Sequence, residues 1–450
     1  MRRAGRLSAA PLPATRVPHT FTPVSRPLLP PPPLHPLPAV ALPAAEVDKL
    51  PNGARLYVVD ASPQPVVKLE VLIEAGRWQE HRASVAQACN ALWREGVAGG
   101  VSGAEAAERI DFYGATLQGY SSLDHVGFTL YVLEKFVGQV LPVVFDLLLA
   151  PDFPPTEVET FVARATAQLR INADKPDVQG YRLLTEAIFG RTHPYGYNST
   201  EAGLTSLTRA DLQRHHARHF LGGNALAFLS GRVSPATRAA VRAQLERLPR
   251  GDSRPGVHAL RPLDVPRVVH DMPHSLQSAV RLGRGFARRT HADFAGLYVL
   301  NTVLGGYFGS RLMTELREER GLTYNVYSAV DTMRYGGYLY LSAEVAAGNE
   351  AEALAAIRDE LRLLREEPVA EDELEMVRAY LMGAYLSMVD GPFNTAETVR
   401  TLVAEGTPLA LFDTLVETTR TITAGELQRL ARVWLAEEDF YEVVVGPVGS

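Results

Sequence analysis

Residues 305–328 read GGYFGSRLMTELREERGLTYNVYS, and their pattern decides how the rest of the 450-residue chain is read. Gly305 and Gly306 open a turn, and Ser310 stands where a helix cap is wanted. Leu312, Leu316 and Glu319 then fall near one helical face, while Arg311, Glu315, Glu318 and Arg320 look to solvent. Gly321 suits the left-handed position that ends a helix. Thr323, Tyr324, Val326 and Tyr327 suit a strand, because β-branched and aromatic side chains pack well on a pleated surface. Arg317 closes the helix and Tyr324 opens the strand, so a tight corner can aim both at one place. On spacing alone Arg317 is a solvated helix residue and Tyr324 a strand-core aromatic, and a shared site is the sharper alternative.

An earlier stretch repeats the pattern. GATLQGYS at 114–121 lies over GLTYNVYS at 321–328, an offset of 207, with Gly, Thr, Tyr and Ser identical. Glu108 lies over Glu315, and Gly127-Phe128 lies over Gly337-Tyr338 after a three-residue insertion. Strands are expected at 54–60, 66–74, 116–122, 126–133 and 225–230, and again at 267–271, 278–283, 326–332, 338–344 and 441–445. Helices fill the intervals, among them 84–95 with Ser84 as its cap. The reading is α+β: two homologous domains, each a largely antiparallel sheet packed by helices on one side. Their bounds are 46–250 and 266–450, joined by a linker at 251–265 that begins Gly-Asp-Ser-Arg-Pro-Gly. Such a duplication leaves a cleft, a favoured place for a site. The first-domain equivalents of Arg317 and Tyr324 are Ile110 and Leu117, so duplication alone demands neither an arginine nor a tyrosine.

Composition narrows the partners. Residues 1–45 hold 12 of the 31 prolines, five arginines and no acid, and read as a disordered, partly polyproline arm. The remainder carries 40 basic against 51 acidic residues, a charge of −11 that argues against nucleic acid as the main partner. Met1-Arg2-Arg3 resembles the start of a signal segment, but prolines and arginines interrupt the apolar run that should follow. No apolar run reaches the length of a membrane span. A single cysteine, Cys89, excludes an internal disulfide and a thiolate metal cage. The expectation is a cytoplasmic protein, with the periplasm as the alternative.

The usual hydrolytic motifs are missing. There is no His-Glu-x-x-His and no His-x-x-Glu-His. His215 and His219 make an i, i+4 pair with Asp211 one turn earlier, yet no third ligand and no base stand beside them. A solvated helix face is the plainer reading. Cys89 on an apolar helix reads as a small core residue rather than a nucleophile.

Taken together, the duplicated half, the start LPNGARLYVV at 50–59, His193-Pro-Tyr-Gly196 and the arginine–tyrosine stretch resemble the insulinase/pitrilysin metallopeptidases. The resemblance covers about 46–450 and is strongest to their half-length bacterial branch and to the mitochondrial processing peptidase subunits. In that family a first-domain helix carries His-x-x-Glu-His, and a later glutamate completes a zinc site. Here the first histidine position is Gln87, the base is Asn90, the second histidine is Ala91 and the later glutamate falls at Gln168. The resemblance therefore implies a degenerate zinc site and no metal on this chain. It also implies that Arg317 and Tyr324 match the pair that binds substrate backbone and steadies the oxyanion across the cleft.

The resulting expectation is a non-catalytic subunit of a heterodimeric zinc peptidase, inactive alone. Its partner would be a paralogue bearing His-x-x-Glu-His and the zinc, and its ligand a peptide substrate. The alternatives are a peptide-binding scaffold without a catalytic partner, and a self-sufficient hydrolase using Cys89 or the His215/His219 pair.

Overall fold

The computed structural model describes residues 39–447 apart from positions 63 and 287. Most of the arm expected over 1–45 lies outside the described residues. Of its last residues, Val40 is buried in the core of the second half and Leu42 packs against it.

In chain order the strands are β1 Glu46–Lys49, β2 Arg55–Asp60, β3 Val66–Ile73, β4 Thr116–Ser121, β5 Val126–Leu133 and β6 Ala225–Gly231, then β7 Arg267–Asp271, β8 Gln277–Phe286, β9 Thr323–Met333, β10 Gly336–Ala346 and β11 Tyr441–Gly446. They form two sheets, ordered β1-β2-β6-β3-β5-β4 and β7-β11-β8-β10-β9. Without β1, which the sequence reading missed, the two orders match strand for strand. The pairs β2/β6 and β7/β11 are parallel, and every other pairing is antiparallel. The α+β duplication read from the chain is thus the observed architecture.

The central strands explain the layering. β3, VVKLEVLI, is buried along nearly its whole length, so it needs cover on both faces. Val67, Leu69, Val71 and Ile73 face the first half's own helices, with Cys89, Leu92, Val140, Val144 and Leu212 in one core. On the other face Leu72 meets Val399 and Val403 of helix Gly391–Ala404, an element of the second half. The second sheet repeats the arrangement. Val280, Leu282 and Val444 face its own helices. Ala279, Val443 and Val445 meet Leu184, Ile188 and Phe189 of helix Pro176–Phe189, an element of the first half. Each half therefore covers one face of its sheet itself and lends one helix to the other half's sheet. The sequence reading placed helices on one side only, and it lacked this exchange.

Charge is buried under the exchanged helix. Lys68 and Glu70 are 2.9 Å apart beneath it, and Arg400 reaches Glu70 at 3.2 Å. A second tie runs through His193-Pro-Tyr-Gly196. The Tyr195 hydroxyl donates to Asp124 Oδ1 at 2.6 Å, and the Arg334 amide donates to Asp124 Oδ2 at 3.0 Å. Arg334 pairs with Glu74 at 2.9 Å, and Tyr335 stacks on Trp78 at 4.2 Å. The β9–β10 turn is thereby fastened to the first half.

Candidate functional site

The stretch at 305–328 folds as helix, left-handed turn and strand, but its helix is wider than the spacing predicts. Met313–Glu319 is a π-helix, as is Thr302–Gly306 before it. The Arg320 amide donates to the Glu315 carbonyl, a five-residue span, at 3.1 Å. The wider turn keeps Leu312 and Leu316 buried but leaves Glu319 in solvent, off the face where an α-helix would put it. Gly305 and Gly306 lie in the first π turn instead of forming an open loop. A Cβ on Gly305 would stand 2.5 Å from the Ser328 backbone nitrogen, so the helix can approach β9 this closely only without a side chain. Ser310 makes no cap; its buried hydroxyl has no hydrogen-bond partner. Gly321 has φ +63°, the left-handed value expected of it.

Arg317 and Tyr324 meet. The guanidinium carbon lies 5.0 Å from the Tyr324 ring centre and 4.6 Å from that of Phe308. Tyr324 is 86% exposed and Phe308 62%, so neither is a core aromatic, against the plainer reading of Tyr324. Phe308 went unnoticed in the sequence. Its signal is an aromatic pair, Tyr307-Phe308, held between Gly306 and Gly309 in a loop where core residues are not required. The corner is built wholly by the second half.

The counterpart in the first half is helix Val85–Leu92. Its expected cap fails: Ser84 sits at φ +69° and its side chain makes no cap bond. Glu80 does the work, accepting from the Ser84 amide at 3.3 Å and the Ala86 amide at 2.8 Å, with the Tyr197 hydroxyl on the same carboxylate. Burial raises the Glu80 carboxyl above its ordinary range, and the Tyr197 hydrogen bond opposes the shift. Gln87 faces a cavity of about 380 Å³ lined by Arg77, Glu80, Ser121, Tyr197 and Ser199, all from the first half.

These residues do not fit a zinc ion. The Gln87 side chain is an exposed amide. Asn90 is buried, and its Oδ1 accepts from the Gly127 amide at 3.1 Å. Ala91 offers no donor atom, and Gln168 is exposed with its amide on Asn172 at 3.0 Å. Neutral amides and an alanine give neither the charge nor the basic nitrogen that a zinc site uses. Among the described residues no group of three or more His, Cys, Asp or Glu side chains could hold a metal ion.

The rival nucleophile and the histidine pair are spent elsewhere. Burial pushes the Cys89 thiol far above its ordinary value, which leaves no thiolate to react. His215 is fully buried, bonded through Nε2 to the Ala75 carbonyl at 2.9 Å, and held neutral by burial with its pKa down to about 3. His219 Nδ1 bonds Ser253 at 3.0 Å. The pair is a core feature, not the solvated face expected of it.

Between the halves a cavity of about 650 Å³ remains, walled by Tyr181 and Arg182 on one side and by Arg281, Asn325 and Tyr327 on the other. Arg317 and Tyr324 are not among its walls. Tyr324 alternates with Asn325 along β9 and so points to the other face of the strand.

Residues 206–381 match the family model described as "Peptidase M16 inactive domain". The "Uncharacterized zinc protease Rv2782c" of Mycobacterium tuberculosis is 26% identical over 356 residues, covering 78% of this chain and 81% of that protein. The "Uncharacterized zinc protease YmxG" of Bacillus subtilis is 23% identical over 359 residues, covering 78% and 85%. In fold, the crystal structure of a peptidase M16 inactive domain from Pseudomonas fluorescens superposes with a TM-score of 0.83 at 23% identity, over 90% of this chain and 99% of that one. No helix among the described residues is long and apolar enough to cross a membrane. Residues 206–381 thus match a peptidase M16 inactive domain, and over most of its length the chain is similar in sequence to bacterial proteins named as zinc proteases and in fold to a peptidase M16 inactive-domain protein.

Proposed function

We propose that this chain is the non-zinc subunit of a two-chain peptidase. It contributes Arg317, Tyr324 and part of the substrate chamber, while a paralogue with an intact His-x-x-Glu-His motif holds the metal. The observation that carries the reading is an asymmetry. The positions that the family resemblance assigns to the zinc site, Gln87, Asn90, Ala91 and Gln168, carry no zinc-ligating side chain, yet a half-exposed Arg317 and an exposed Tyr324 stand together in the second half. A pair that points away from its own chain's interior cavity is available to a cleft completed by another chain. In that setting the arginine and the phenol would bind the substrate backbone and steady the charge that builds on the scissile carbonyl. Peptide pairing along an exposed sheet edge would align the substrate.

The test is reconstitution with a zinc-motif paralogue and a peptide-cleavage assay. Turnover is expected only from the pair of chains, and Tyr324→Phe in this chain is expected to lower it by about 10- to 100-fold. Unchanged turnover sinks the assigned role. Stoichiometric zinc and cleavage by this chain alone would sink the two-chain reading altogether. Peptide binding without turnover in any pairing would leave the scaffold alternative.

A further inference from the structure

The stretch at 305–328 holds three arginines, and their fates differ. Arg311 is clamped by Glu373 through two bonds of 2.8 Å. Arg320 is paired with Glu315 at 2.7 Å. Arg317, between them in sequence, has no carboxylate partner and no oxygen acceptor among the described residues; it donates to Met313 Sδ at 4.0 Å. It has rings instead, Phe308 at 4.6 Å and Tyr324 at 5.0 Å. Cation–π attraction holds the head in place and leaves the N–H fork with only the weak Met313 sulfur as acceptor. Two exposed aromatics beside an unpaired arginine, on a chain with more acids than bases, make a receptor that lacks only its anion.

We propose that Phe308, Arg317 and Tyr324 form a receptor for a carboxylate carried by a peptide, with Phe308 as the positioning residue that fixes the guanidinium. This rests on the substrate-contacting role proposed above and narrows its substrate class to peptides that present a carboxylate there. The fork of a guanidinium matches the two oxygens of a carboxylate, whereas a backbone carbonyl offers one neutral oxygen. The carboxylate is either a free C-terminus or an Asp or Glu side chain.

Fluorescence anisotropy with the full chain tests this directly. The probes are one short fluorescein-labelled Ala/Leu/Gln peptide as its C-terminal acid, the same peptide as its amide, and the amide with Glu in place of Gln. One or both carboxylate probes are expected to bind about tenfold tighter than the plain amide, and the probe that gains identifies the source. Arg317→Ala should abolish the preference. Phe308→Ala should weaken the favoured probe by roughly threefold, and Phe308→Tyr should restore it. Both Phe308 variants should melt like the parent, since the ring is exposed. Equal binding of all three probes, or binding of none, overturns the carboxylate class. Loss in Arg317→Ala with no change in Phe308→Ala overturns the positioning role. A carboxylate preference that persists while Arg317→Ala leaves turnover with the zinc paralogue unchanged would remove the peptidase role and keep the receptor.

Discussion

At Gly114 and at Gly321 the chain makes the same left-handed turn, φ +63° at both, and enters an edge strand, β4 at Thr116 and β9 at Thr323. What lies on either side has diverged. Before Gly114 runs an α-helix, Gly103–Phe112, opened by a full capping box between Ser102 and Glu105, and its Ile110 is buried at 3% exposure. Before Gly321 runs a π-helix, and the equivalent Arg317 lies half-exposed between two rings. Leu117 packs against the first core, while its equivalent, Tyr324, stands in solvent. One corner is packed into its core and the other leaves an arginine and two aromatic rings at the surface. Duplication kept the backbone turn because only a residue without a Cβ takes it cheaply; it did not keep the side chains, which answer to what each corner touches.

Turnover is where this contrast should break most visibly. In a reconstituted pair, Arg317→Ala is expected to cost about 10²- to 10³-fold in turnover with little change in melting, as loss of a charge-stabilising donor does. Ile110→Ala should do the reverse, lowering stability by about 2–4 kcal/mol in a denaturant titration and leaving turnover alone. Matching effects at the two positions would mean that the corners have not specialised.

A second break concerns the helix exchange. Leu184→Ala removes a fully buried side chain of the first half from the face of the second sheet, at an expected cost of about 2–4 kcal/mol. Because each sheet depends on a helix from the other half, one cooperative unfolding transition is expected. Two transitions, seen by tryptophan fluorescence and circular dichroism at different denaturant concentrations, would show the halves to be independent.

Proton linkage separates the halves further. His125, at the β4–β5 turn, is buried with Nε2 unpartnered, and burial holds its pKa down to about 3; Arg334 and Arg400 push in the same direction. His215 is depressed likewise. A histidine with a lowered folded-state pKa contributes stability that is full above its unfolded value near 6.5 and is lost as pH falls toward the folded value. From pH 7 to pH 5 each is expected to cost about 2 kcal/mol. The His125→Asn variant should show a shallower loss over that window in urea titrations; an unchanged slope would mean that His125 is protonated in the fold.

The smallest effect tests what the corners share. At both Gly114 and Gly321 an added Cβ meets nothing within 4 Å, so Gly→Ala exposes only backbone strain. About 1–2 kcal/mol is expected at each, equal within error in thermal melts. A clear inequality would sharpen the comparison by showing that one turn is already strained in the parent.

The succession of strands and helices, the Gly114/Gly321 correspondence and the α+β class were legible in the chain, because local periodicity and turn chemistry are properties of short windows. The meeting of Arg317 with Tyr324 was legible as a possibility, because a helix, a left-handed glycine and a strand fix a corner. What tertiary structure alone decided is where that corner faces and what surrounds it. The π-helical widening that re-aims Glu319, the capping of helix Val85–Leu92 by Glu80 instead of Ser84, and the exchange of helices Pro176–Phe189 and Gly391–Ala404 all depend on groups distant in sequence. So does the exposure of Tyr324, which in a strand-like sequence looks like core and is left largely in solvent at the start of β9, an edge strand.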